Sequence, residues 1–150
     1  MQLAYFEDLQ PGFVCRAQGY TVNEAEIIEF GQRFDPQPFH TSADAASNSL
    51  FGGLVAPTCL LLCARSWLAN HLDVPYVYTA GLGVDDLNIR KPVRAGDCLR
   101  LEAEVFHARP SRSRPDCGVV QMHNRLYNQR DELVLDMIAK MLVQKKSAQV

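Results

Sequence analysis

A chain of 150 residues with 47% hydrophobic and 21% charged side chains suits one packed domain, and its composition is neither disordered nor fibrous. Its formal net charge of -2 gives no electrostatic reason to expect a nucleic-acid partner. Five cysteines occur without a C-x-x-C pair and without a histidine at zinc-ligand spacing, so reduced thiols and no metal are expected.

The opening segment, MQLAYFEDLQPG, is acidic where a signal peptide needs a basic start and a long apolar core. A cytoplasmic location is the expectation. Val14 to Val22 then reads as a short strand, followed by a helix over NEAEIIEFGQRF. Asn23 is its predicted N-cap, Glu26 completes a capping box, and Ile27, Ile28, Phe30 and Phe34 form its apolar stripe. Pro36 ends it, because the residue before a proline is pushed out of the helical region. A short helix restarts in HTSADAASNS, capped by Thr41 or Ser42.

The two glycines of FGGLVAPT make a loop, and Pro57 takes the favoured first position of a third helix running to Leu72. Leu60, Leu61, Leu62, Cys63, Ala64, Trp67 and Leu68 cannot share one stripe, so this helix is expected to be wrapped on most sides. Its apolar stretch is broken by Pro57 and too short to cross a bilayer. Cys59 and Cys63 share a face of it, but two ligands do not make a metal site.

The rest of the chain supplies the wrapping. GLGVDDLNIRKPV breaks into strand-like pieces. In CLRLEAEVF, Leu99, Leu101, Ala103 and Val105 alternate with Arg100, Glu102 and Glu104. Val120, Met122, Asn124 and Leu126 share one parity in GVVQMHNRLYNQ, and ELVLDMIAKMLV is a further strand whose apolar residues also partly fit a helical period. ARPSRSRPD between them reads as a solvated loop. Strands this close in sequence favour antiparallel pairing. The expected architecture is a single α+β domain over residues 1–150, a helix with an antiparallel sheet curled round it.

Chemistry concentrates in FDPQPFH. Asp35 falls at the negative C-terminal end of the first helix, and His40 just outside the positive N-terminus of the next. Both placements favour a proton-accepting carboxylate beside a neutral imidazole. Pro36 and Pro38 stiffen the link between them, so little entropy is lost in holding the two side chains about a water's width apart. Such a pair suits adding water to a polarised double bond, or removing it. The unpaired first N–H groups of the Pro57 helix could meet the oxygen that gains charge. An Asp after a helix and a His before one are also ordinary caps.

FDPQPFHTSADAA followed by FGGLVAPT resembles the MaoC-like dehydratase family, which includes the (R)-specific enoyl-CoA hydratases. The family's hydratase motif runs Asp, any residue, Asn, Pro, an aliphatic residue, His, any residue, Asp or Ser, three more, then Ala; Asp35, Pro38, His40, Ser42 and Ala46 fall on it. DDLNIRKPVRAGDCLRLEAEV resembles the family's sheet segment, and the resemblance extends from Tyr5 to Val143. It implies a hotdog fold, a homodimer, and Asp35 with His40 as the dyad that activates water at an enoyl thioester. It implies no metal or redox cofactor, coenzyme A entering only as part of the substrate. Gln37 stands where the family has Asn, and Phe39 where it has an aliphatic residue. Thr58, after Pro57, replaces the glycine whose N–H serves as oxyanion donor. Gly53, Pro57, Thr58, Phe39 and Phe51 are the residues expected around the thioester, with core packing the alternative for the two phenylalanines. Ser66 matches a serine that related hydratases carry near the site, with a packing role as its alternative.

Arg90 and Lys91 are candidates for the phosphates of coenzyme A, against a solvated strand end. Arg109, Arg112 and Arg114 could do the same across a dimer, against a flexible loop. His71, His107 and His123 read as surface or packing residues. Two other functions fit a hotdog domain: an acyl-CoA thioesterase, which needs an acidic residue that the Pro57 helix lacks, and an acyl-CoA-binding domain without chemistry.

Overall fold

Alternation in the second half of the chain becomes a five-stranded sheet in the computed structural model, which describes residues 2–146. The strands are β1 (Val14–Thr21), β2 (Tyr78–Ile89), β3 (Cys98–Pro110), β4 (Cys117–Tyr127) and β5 (Leu133–Gln144), in the order β1-β3-β4-β5-β2 with every pair antiparallel. Register carries one apolar row across the inner face, Ala17 opposite Leu101, Leu101 opposite Leu126, and Leu126 opposite Leu135. The parallel row through Cys15, Ala103, Asn124 and Met137 has a single polar member, Asn124. ELVLDMIAKMLV is strand, since its residues are shared between ladders to β4 and β2 and Met137, Ala139, Met141 and Val143 alternate inward. The pieces expected around GLGVDDLNI join into one strand, kept continuous by irregularities in register at three places, one of them beside Asp86 with φ 49°.

Between β1 and β2 lie α1 (Glu24–Phe34), α2 (Pro38–Thr41), α3 (Ala43–Ser47) and α4 (Thr58–Ala69). Asn23 caps α1 through Glu26 N–H at 2.8 Å, but Glu26 does not close a capping box; its carboxylate accepts the Tyr20 hydroxyl instead. The buried stripe of α1 is Ile27 with Gly31, while Phe34 is 57% exposed, packs at a tilt against Phe30 and lies under Arg33. Ser42 is the N-cap of α3, accepting from Ala45 N–H. Pro57 is the N-cap of α4 and not its first residue, so the free N–H groups begin at Thr58.

Helix α4 is wrapped on one side only. Leu60, Leu61, Ala64 and Leu68 pack into the concave sheet at a three- and four-residue spacing, whereas Cys63 and Trp67 face outward, Trp67 against Tyr20 and His71. A five-stranded sheet is too narrow to enclose the other face. Edge strand β2 is similarly bare: Leu82, Val84, Leu87 and Ile89 are between 38% and 51% exposed. Among the described residues no helix is long and apolar enough to cross a membrane.

Candidate active site

The α1–α2 junction builds the acid and base pair. Asp35 is the C-cap of α1, its N–H donating to Gly31 O at 2.9 Å, and its own carbonyl accepts Gln37 N–H at 2.8 Å across Pro36. Pro38 then opens α2, a single turn in which His40 N–H donates to Gln37 O. His40 sits in the last turn of α2, two residues before Ser42, the N-cap of α3.

His40 Nε2 lies 3.4 Å from Asp35 Oδ2. The pair is in direct contact and not a water's width apart. His40 is 7% exposed, while the Asp35 side chain is 38% exposed and reaches solvent. On the other side of the ring, Nδ1 lies 2.6 Å from Val55 O. A carbonyl oxygen can only accept, so Nδ1 carries hydrogen, and Nε2 faces Asp35. Val55 N–H in turn donates to Phe39 O at 3.1 Å, tying the loop before α4 to α2.

Two residues missed in the sequence hold this arrangement. Gly31 lets α1 approach α2: a Cβ there would stand 2.7 Å from His40 O and 2.9 Å from His40 Cβ. Arg94 donates to Phe51 O and places its other terminal nitrogen 3.2 Å from a Cβ built on Gly53, fixing the glycine loop. Neither has a local signal, because each acts on a segment distant in sequence.

A cleft of about 390 Å³ opens beside His40, lined also by Phe39, Phe51, Val55, Ala56, Thr58, Leu61, Val93 and the segment Ile89 to Pro92. It gathers most of the expected site residues: Phe39, Phe51 and Thr58 on one side, Arg90 and Lys91 on the other. Phe39 packs on both His40 and Phe51, with ring centres 4.6 and 5.1 Å apart. Thr58 lines this space and, as first residue of α4, has an N–H without a partner within the helix. Pro57 is buried behind it and Gly53 lies in the Arg94-held loop, neither lining the cleft. Ser66 lines a different cleft, with Tyr76 and Tyr78.

The two proposed phosphate contacts are both occupied. Arg90 forms a two-pronged pair with Asp136, and Lys91 Nζ lies 2.6 Å from Glu132. Hydrogen bonds from Lys91, Asn128 and Arg130 hold the Glu132 carboxyl down at about 2. Arg114 pairs with Asp116 within its own loop. His71 stacks on Trp67, His123 on Phe106, and His107 is exposed, as surface and packing residues should be. Among the described residues no group of three or more His, Cys, Asp or Glu is placed to hold a metal.

Residues 9–125 match the model of the MaoC like domain, a range that holds Asp35, His40, the cleft, three whole strands and most of a fourth. The chain belongs to the MaoC-like family. It is 30% identical to the 3-hydroxybutyryl-CoA dehydratase of Methylorubrum extorquens, with 97% of this chain and 88% of that protein aligned. Protein MaoC of Klebsiella aerogenes is 32% identical over 101 residues, and the chain spans 29% of its length. The solved MaoC-like dehydratase from Rhodospirillum rubrum superposes with a TM-score of 0.86 at 34% identity, over 95% of this chain and 98% of that one. The sheet curled on α4 is a hotdog fold of α+β class.

Proposed function

We propose that the protein is a cytoplasmic acyl-CoA hydratase or dehydratase, adding water to the double bond of an enoyl thioester or removing it. The observation that carries this reading is the 3.4 Å contact of Asp35 with His40 beside a cleft that Thr58 also lines. In hydration, Asp35 accepts a proton from water as the water oxygen bonds to the β-carbon. His40 Nε2 orients that water and exchanges the proton that the dyad delivers to the α-carbon. Thr58 N–H donates to the thioester oxygen as it gains charge. The product carries one H and one OH more than the enoyl group, and dehydration runs the same steps backward. No redox cofactor is needed, since water is added without net electron transfer, and coenzyme A enters as part of the substrate. An exposed thiol at Cys63 fits a reducing compartment.

The bare β2 edge supports a homodimer, since an apolar edge strand is a ready surface for a second copy. A thioesterase reading has no support from α4, which carries no Asp or Glu. The test is a spectrophotometric assay of conjugated enoyl-CoA loss with Asp35→Asn and His40→Ala. Each variant is expected to lose turnover by about 10²- to 10⁴-fold. Full turnover in Asp35→Asn removes its role; thioester binding without any turnover makes this a binding domain.

A further inference from the structure

One wall of the cleft beside His40 is tied to the frame at a single point. The segment from Asn48 to Leu54, which follows α3, is folded on itself: Ser49 Oγ donates to Ala46 O at 2.6 Å, Phe51 N–H to Ser49 Oγ at 3.2 Å, and Gly52 N–H to Ser49 O at 3.1 Å. Gly52 turns the chain at φ 65°, a left-handed backbone that glycine adopts without strain. Leu50, at the tip, is 96% exposed. Among the described residues, one hydrogen bond joins this segment to any part of the chain beyond α3, from Arg94 Nη2 to Phe51 O.

Arg94 stands on a firmer base. Its N–H donates to Asp97 Oδ2 at 2.9 Å, and Asp97, 5% exposed, also accepts from Gln129 Nε2 at 2.9 Å. Val22 N–H donates to Asp97 O at 2.9 Å and Gly96 N–H to Val22 O at 2.7 Å, which fastens this turn to the residue after β1. Arg90 and Lys91, earlier in the same connection, pair with Asp136 and Glu132, whereas the exposed Arg94 guanidinium has no acid partner among the described residues. A hydrogen bond open to water contributes little net stability, so a segment held by one of them opens at small cost. Phe51 lines the same cleft as His40 and Thr58, and a substrate whose reacting carbons meet the dyad occupies that cleft.

We propose that residues 49–53 form a flap over the substrate cleft, closed when Arg94 holds Phe51 O, which makes Arg94 a positioning residue for the Phe51 wall. The inference rests on the hydratase reading for the substrate and on the Arg94 bond for the flap. Losing that bond weakens binding and leaves the chemistry at Asp35 and His40 alone, so KM rises and kcat does not. Arg94→Ala is expected to raise KM for crotonyl-CoA about 3- to 10-fold with kcat within about twofold, and Arg94→Lys, which keeps a donor, to fall between. Calorimetric binding of saturated butyryl-CoA should weaken by the same factor, and amide hydrogen exchange at Phe51 to Leu54 should quicken with Tm unchanged. Crotonyl-pantetheine carries no phosphate, and its KM should rise by the same factor; a rise seen only with crotonyl-CoA makes Arg94 a phosphate contact and overturns the flap. Unchanged KM or unchanged exchange at Phe51 to Leu54 also overturns it, as does a lower Tm with exchange quickened throughout the chain. Butyryl-CoA binding that weakens in Arg94→Ala, in a protein without enoyl hydration, sustains the flap and overturns the hydratase reading alone. No binding of any thioester by the native protein overturns the flap.

Discussion

Gly31→Ala tests whether the dyad depends on the close approach of α1 and α2. An added Cβ would meet His40 O at 2.7 Å, and ordinary contact begins at 3.4 Å, so the two elements must part by about 0.7 Å. The obstructing atoms are backbone and Cβ, and no flexible side-chain end can swing aside. Overpacking of this kind costs about 1–3 kcal/mol, while alanine favours the helix by about 1 kcal/mol over glycine. The net destabilisation is then about 0–2 kcal/mol, a fall in Tm of up to about 8 °C for a chain of this length. Activity should respond more than stability, because the displaced residue is His40 and a shift approaching 1 Å in a catalytic group costs up to about 10²-fold. The assay is enoyl-CoA hydration with thermal unfolding on the same sample, and the His40 ring proton resonances as a direct report of displacement. An alanine variant with native kcat and an unmoved His40 resonance would refute the argument that Gly31 sets the dyad.

Glu132→Gln should flatten the acid limb of the stability curve. A carboxyl at about 2 in the folded protein against an ordinary 4.5 contributes stability that is full above 4.5 and lost as pH falls toward 2. Urea unfolding at steps across that window should decline more steeply for the native chain than for the variant; parallel curves would contradict the assignment. Val84→Lys places a charge on the 49%-exposed apolar edge of β2, and sedimentation should find a dimer of the native chain converted to monomer. A native monomer, or a variant that stays dimeric, would move the interface away from β2.

Much of this was legible because it is local. The alternation of Leu99, Leu101, Ala103 and Val105, and of Val120, Met122, Asn124 and Leu126, reports the sheet face directly, and all eight are buried. Asp35 and His40 could be paired because two prolines lie between them. What stayed hidden depends on partners far along the chain. The one-turn helix α2 has no period to detect, and Gly31 matters only through His40. Arg65 was visible as a charge in an apolar helix and Asn124 as a polar residue on an apolar parity, but their 2.7 Å bond joins residues 59 apart. Helix α4 seemed to need wrapping all round because composition counts apolar residues without saying how far a sheet of five strands can reach.

Strand order has a consequence for how such a domain can change. Strands β1 and β2 are adjacent in sequence yet occupy opposite margins of the sheet, so the segment joining them must cross four strand spacings, about 19 Å. That crossing carries α1 to α4, and with them Asp35, His40, Thr58 and Arg65. None of these residues belongs to a ladder between strands. The proposed dyad and the proposed oxyanion donor thus ride on a span that makes no ladder bond, while most of the hydrogen-bonded frame lies outside it. The walls that this span gives the cleft, Phe39, Phe51 and Thr58 among them, can therefore change without breaking one inter-strand bond.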